Sequence, residues 1–353
     1  MDTIALLKTL TDVIGPSGFE EPVRDVIRKL IEPLVDEIVV DAMGNLIATK
    51  RGTSDTTLML DAHMDEIGFM VTVVEPDGFL RFAQTSGWDQ RIVPAHAVTI
   101  VTDFGTTVKG YIGTPPPHIT KPEDRDKPFR MEDLFIDIGV TSADEVAALG
   151  IRTGSPFIIG YPFEQLNDQV VMARAIDDRA GCAVIIRVLE ALKDVELDVN
   201  LVACFSVQEE VGLRGAGVVA TRIQPDFAIV LETTVAADVP GIPLTRRPTS
   251  MGKGPAIIVM DNSMITKGSI VRAITEFADE RYLAWQYRVP LGGGTNAGAI
   301  QRSGIGVSAG VISLPVRYFH SPYALLRLDD FENTVKLVTE LTRSGQRFIN
   351  WAR

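Results

Sequence analysis

The chain has 353 residues and a formal charge of −12, with 46 acidic against 34 basic residues. That length gives a prior of two domains, or one large domain with an insertion; 46% hydrophobic and 23% charged residues exclude a disordered chain, and the acidic balance argues against a general nucleic-acid binder, whose footprint is a basic face. Only Cys182 and Cys204 are present, which excludes a disulfide framework and a cysteine-based zinc module. The opening MDTIALLKTLTDVIG lacks a basic start and a small-residue cleavage site, and no run reaches the about 18 apolar residues of a membrane span. The expectation is a cytoplasmic enzyme with no membrane and no nucleic-acid partner.

In chain order, Leu6, Leu7, Leu10, Val13 and Ile14 mark one face of a helix that Gly15-Pro16 stops. Ser17 and Glu20 have capping-box spacing before a second helix carrying Val23, Ile27, Leu30 and Ile31. Short strands are expected near 38–40 and 46–48, and a buried strand over 57–60. From about 69 to 162 the chain reads as all-β, with turns at Pro76-Asp77-Gly78 and Asp103-Phe104-Gly105. A Pro-rich and charged stretch from 114 to 130 reads as an exposed loop. Beyond Asn167, apolar strands alternate with amphipathic helices: a helix over 180–192, strands at 200–207 and 227–231, a strand from Ile305 and a last helix from Asp329. The expected fold is α/β, a mixed and largely parallel sheet flanked by helices. Residues 1–68 and 163–353 form the catalytic domain, and 69–162 form an inserted β domain.

Functional groups in open α/β sheets gather beyond the carboxyl ends of strands. His63 and Asp65 follow the strand at 57–60. Asp177 and Asp178 follow the segment at 170–176, Glu209 and Glu210 the strand at 200–207, Glu232 the strand at 227–231, and His320 the strand from Ile305. Each alone has an ordinary structural explanation, as a buried histidine, a helix N-terminus or a turn acid. Together they put imidazole and carboxylate at five strand ends in a chain with four histidines. Acids gathered there are costly unless cations hold them.

Imidazole with carboxylate suits zinc, with cobalt or manganese as alternatives. Two histidines with three carboxylates exceed one tetrahedral ion and suit two ions sharing a bridging carboxylate, about 3.5–4 Å apart. Glu209 would remain as general base toward the nucleophilic water. Asp65 could accept the second ring N–H of His63 and orient it.

The segments 60–68 (LDAHMDEIG), 175–181 (AIDDRAG), 207–215 (VQEEVGLRG), 293–299 (GGTNAGA) and 319–322 (FHSP) resemble those of the glutamyl and deblocking aminopeptidases, the TET-type cocatalytic metallopeptidases of metallopeptidase family forty-two. The resemblance spans essentially the whole chain. It implies a phosphorylase/hydrolase-like domain with an inserted β-barrel that serves as a dimerisation and lid domain. It also implies two divalent ions per subunit, peptide substrates, and dimers assembled into a tetrahedral dodecamer. By position, His63, Asp177 and Glu232 would hold one ion, and Asp177, Glu210 and His320 the other, with Asp177 bridging. Glu209 would be the base, Asp65 the partner of His63, and the Asp177–Asp178 peptide would be cis. Two positions depart from the family pattern: Glu232 and Asn296 stand where it has Asp.

The function expected is removal of N-terminal residues from peptides. The alternative is a metal-dependent N-acyl amino acid deacylase or carboxypeptidase of related fold, with Arg179 or Arg214 as a carboxylate clamp. Glycines 292–294 lack the Lys-Ser/Thr of a phosphate loop. Gly293 and Gly294 are read instead as letting the backbone approach substrate, with Asn296 beside the pocket. Arg246, Arg247 and Lys253 form a basic stretch; Arg246 or Lys253 in the pocket would favour acidic N-terminal residues. His96 and His118 are read as structural or loop residues.

Overall fold

A computed structural model describes residues 1–122, 127–289 and 292–352. In chain order the elements are α1 (Thr3–Asp12), α2 (Glu21–Ile31), β1 (Glu37–Val40), β2 (Leu46–Lys50), β3 (Thr57–His63), β4 (Phe69–Val74), β5 (Leu80–Gln84), β6 (Ala97–Val101), β7 (Thr107–Gly113) and β8 (Phe135–Asp137). Then come α3 (Ala143–Ala148), β9 (Pro156–Ile159), β10 (Glu164–Asn167), β11 (Val170–Ala173), α4 (Ile176–Ala191), β12 (Asn200–Ser206), α5 (Arg214–Ile223), β13 (Phe227–Val235) and β14 (Ala256–Ile258). The chain ends with α6 (Gly268–Glu280), β15 (Gln286–Arg288), α7 (Asn296–Gln301), β16 (Ala309–Arg317), β17 (Ala324–Arg327) and α8 (Leu328–Ala352). Two compact units form. One holds 1–65, 162–319 and 323–353; the other holds 66–161 and 320–322.

In the first unit the sheet runs β1-β2-β12-β3-β13-β16-β17-β11-β10, with β14 and β15 branching from β16. Its centre, β12-β3-β13-β16, is parallel, and the outer pairs are mostly antiparallel. This is the mixed α/β sheet the alternating pattern predicts. Central strands buried on both faces must be apolar throughout. Alternate residues therefore divide between two cores. Leu58, Leu60, Leu201, Phe205, Ile229, Leu231 and Ile312 pack on the side of α1, α2, α4, α6 and α8. Met59, Val202, Cys204, Val230, Val311 and Ile258 pack on the side of α5 and α7. Each such side chain contributes about 1.5–3 kcal/mol by leaving water.

The second unit is a closed antiparallel barrel, β4-β5-β8-β7-β6-β9. Its aliphatic core holds an aromatic cluster: Phe69 stacks on Phe157 at 5.0 Å between centroids and meets Phe82 edge-on at 5.6 Å.

Two local expectations are corrected. Ser17 and Glu20 form no capping box: α2 starts without a side-chain cap, and both side chains are spent elsewhere. The strand expected from Ile305 begins at Ala309, because Ile305 lies in an exposed turn. It is followed by β17, paired antiparallel to β16, in a stretch with too few residues for a period to show. The loop at 114–130 is only partly within the described residues.

Candidate metal centre

The site grows from the end of β3. Asp61 and His63 alternate with Met59 and so face the α5–α7 side. The ring of His63 is buried. Its Nδ1 lies 3.0 Å from the backbone oxygen of Asp65 and 3.4 Å from Asp65 Oδ1. That contact fixes the ring, so Nε2 faces Asp177 Oδ1 at 3.4 Å, Glu232 Oε1 at 3.5 Å and Glu209 Oε2 at 4.0 Å.

Asp177 and Asp178 stand at the start of α4, and the peptide between them is cis. Regular helical geometry begins only after them. Asp178 is wholly buried and turns back into the protein, accepting from Gly181 N at 3.1 Å and His63 N at 3.3 Å. Gly181 is needed there, because a methyl group on it would overlap the Asp178 carboxylate. Cys182 Sγ donates to His63 O at 3.2 Å.

Glu209 and Glu210 follow β12 in a loop held from below by one carboxylate. Asp65 Oδ1 accepts from Glu209 N at 3.0 Å; its Oδ2 accepts from Glu210 N at 3.2 Å and from Ser17 Oγ at 2.6 Å. Gln208, before the pair, adopts a left-handed φ of 56° and donates its N–H to Glu20 Oε1 at 3.1 Å. Glu232, on β13, accepts from the N–H of Thr233 at 3.0 Å.

Electrostatically the cluster has more acidic than basic groups. Burial alone would lower the imidazolium pKa of His63, but Glu232, Asp177 and Asp65 around it push the pKa well above its usual value. Burial would raise Asp65, yet His63 and its other donors hold it below the usual carboxylate range. Burial drives Glu209 well upward, with His63 only partly opposing. It drives Asp178 up as well, reinforced by Glu232. Glu232 is pushed up to about 7 by burial, against the pull of His63. Two sets of ligand atoms lie within 4.8 Å of one another: His63, Asp177 and Glu210, and His63, Asp178 and Glu232. One imidazole among so many buried oxygen donors is a donor set that fits divalent cations.

His320 falls in the second unit, half-buried, with Nδ1 3.0 Å from Gly87 O. Asn296 is buried, and its Nδ2 bonds Asp61 Oδ2 and Ser206 Oγ, each at 2.9 Å. Gly293 and Gly294 are exposed, as are Arg246 and Lys253. Arg179 is wholly buried and donates to the carbonyls of Met64, Leu10, Val13 and Gly15, so it ties α4 to the end of α1. Arg214 is exposed and bonded to Gln208. Sequence reasoning missed what Ser17, Glu20 and Asp61 do here. A serine directly after Gly15-Pro16 carries no signal that its partner lies 48 residues away.

The family model of M42 glutamyl aminopeptidases matches residues 44–337. The chain is 32% identical over 352 residues to the lysyl aminopeptidase of Pyrococcus furiosus, covering 95% of both chains. It is 31% identical over 335 residues to the glutamyl aminopeptidase of Lactococcus lactis subsp. cremoris, covering 94% of this chain and 93% of that one. The solved TET1 peptidase of Pyrococcus horikoshii matches with a TM-score of 0.86 and 35% identity, covering 97% of this chain and 99% of that one. That peptidase assembles into a tetrahedron or a large octahedral shell.

Proposed function

This chain belongs to the M42 glutamyl aminopeptidase family and is a peptide-bond hydrolase dependent on divalent metal ions, and on that premise we propose that it uses two ions with Glu209 as general base. The observation that carries this is the convergence on His63 Nε2 of Asp177, Glu232 and Glu209. His63, Asp177 and Glu232 would hold one ion, and Asp177 and Glu210 would contribute to holding the other. When bound, such ions supply Lewis-acid polarisation of the scissile carbonyl and make water acidic enough to attack at neutral pH.

The chain's own residues do the rest. Glu209 is the most distant of the three carboxylates around His63 Nε2, and its raised pKa suits it to take a proton from the attacking water and return it to the leaving amine. Asp65 sets both ends of the site: it orients the His63 ring and holds the Glu209–Glu210 backbone. The free α-amine of the substrate would lie among the carboxylates, which favours a charged or metal-bound amine over an acylated one. Arg179, spent on four carbonyls, leaves the deacylase and carboxypeptidase reading without that clamp. A cytoplasmic location and a tetrahedral dodecamer built from dimers belong to the same proposal.

The test is hydrolysis of aminoacyl-p-nitroanilides and their N-acetylated controls by chelated enzyme restored with zinc, cobalt or manganese. Cleavage of free-amine substrates only is the expected result. Cleavage of acetylated substrates instead would establish the deacylase.

A further inference from the structure

Arg288 ends β15 and lies opposite Ile258 in the parallel pairing with β14. Ile258 packs with Val230 and Val311 on the α5–α7 side, the side that Glu232 and His63 share by alternation. Arg288 is only 7% exposed. Its two terminal nitrogens reach the carbonyls of Met260 and Gly292 at 3.4 Å each, long for hydrogen bonds, and among the described residues its Nε has no partner. Among the described residues the carboxylates whose charge reaches it are Asp261 and Glu232, and neither forms an ion pair with it. Asp261 is already the acceptor for Ser263 N and Oγ, Met264 N and Thr295 Oγ1. Ser313 lies beside Glu232 in the pairing of β13 with β16; it is wholly buried, and its Oγ also lacks a partner among the described residues.

A buried guanidinium without a carboxylate is costly, and an anion entering its surroundings recovers that cost. We propose that Arg288, with Ser313 Oγ as a second donor, receives the side-chain carboxylate of an N-terminal Asp or Glu and sets the preference of this site for acidic first residues. This assignment rests on the aminopeptidase reading of the His63–Glu232 site. Family membership leaves the preference open, since one relative is named for lysyl and another for glutamyl substrates. A fixed buried cation repels a lysyl side chain and gives a planar fork to a carboxylate. Exposed Arg246 and Lys253 are screened by solvent, whereas Arg288 is not.

The experiment compares kcat/KM for Glu-, Gln-, Leu- and Lys-p-nitroanilide by metal-loaded wild type, R288M, R288K and R288E, with bound metal and melting temperature measured for each. The readout is the Glu-to-Gln ratio, which isolates charge at constant shape. The wild type is expected to favour Glu by at least about tenfold. R288M brings the ratio to near one, R288K keeps part of it, and R288E turns the preference toward Lys. A wild-type ratio near one, or an undiminished ratio in R288M, overturns the assignment. Wild type that cleaves Gln and Leu without preferring Glu overturns this assignment alone; wild type that cleaves no free-amine substrate overturns the aminopeptidase reading with it. Should R288M fail to fold, inhibition of wild-type Leu-anilide hydrolysis by free glutamate against free glutamine replaces it. A glutamate Ki at least about tenfold lower supports Arg288, and equal values overturn it.

Discussion

Asp65 Oδ1 accepts the backbone N–H of Glu209 at 3.0 Å, so the residue whose backbone oxygen holds the His63 ring at 3.0 Å also sets, through its carboxylate, the height of the proposed base. One side chain thereby couples the end of β3 to the loop after β12, and Ser17 Oγ adds the N-terminal segment. Asp65→Ala leaves two loop N–H groups without their acceptor and removes the carboxylate 3.4 Å from His63 Nδ1, while the backbone oxygen at 3.0 Å stays. Metal affinity is expected to fall about 10–100-fold, with Ser17→Ala causing a smaller loss. Titration with a metal-sensitive dye in both variants checks this; equal affinities for wild type and Asp65→Ala would remove the coupling.

Glu209→Gln keeps the shape and the backbone contacts to Asp65 but cannot carry the proton. Turnover should drop about 10²–10⁴-fold while bound metal stays unchanged. Elemental analysis alongside steady-state kinetics separates the two quantities. Near-normal turnover would take Glu209 out of the base role.

Gly181→Ala tests the packing behind the centre. The added methyl overlaps Asp178, whose carboxylate accepts from Gly181 N and His63 N. Overpacking of this kind costs about 1–3 kcal/mol, and the shift of Asp178 should weaken metal binding as well as lower the melting temperature. A variant with wild-type metal affinity would show that Asp178 does not brace the site.

Metal uptake should release protons. Without an ion, His63 is held protonated by Glu232, Asp177 and Asp65, and Glu232 has its pKa pushed up to about 7. Both must bind metal deprotonated, so affinity rises with pH across the neutral range. Calorimetry near pH 7 in two buffers of different ionisation enthalpy measures the release, expected at about one proton or more per protein. No release would mean that these groups are already deprotonated in the metal-free site.

Glu20 gives a stability signature outside the centre. Burial pushes its carboxyl up to about 7 from 4.5, against the N–H bonds from Gly18 and Gln208. Between those values the native state binds more protons than the unfolded state, so stability falls as pH rises through that window and stays reduced above it. Glu20→Gln should flatten this fall and gain about 1–3 kcal/mol at pH 8 over the wild type. Urea unfolding of chelated protein at pH 5 and pH 8 measures it.

The layered sheet and the acids at its strand ends were readable because apolar runs such as Leu201–Phe205 are interrupted only where chemistry begins. His63, Asp177 and Glu232 stand among the strand-end groups legible in the sequence, the family resemblance sets these three together, and the two carboxylates lie at 3.4 and 3.5 Å from His63 Nε2. Contacts that depend on tertiary placement were not readable. Ser17 fits a capping box by spacing, yet its hydroxyl goes to Asp65. Asn296 reads as a pocket residue after a glycine run, yet its amide is buried against Asp61 and Ser206. Arg288 sits in a three-residue strand, too short to reveal which face it takes.

The central claim is that turnover depends on divalent ions held at His63, Asp177 and Glu232. The most direct measurement titrates chelated protein with zinc and follows bound metal and Leu-anilide hydrolysis in the same samples, for wild type and Asp177→Asn. Turnover that appears as the second ion binds, and is lost in Asp177→Asn together with that ion, is the predicted result. Full turnover by the chelated protein, or turnover complete with one ion and unchanged in Asp177→Asn, would contradict it.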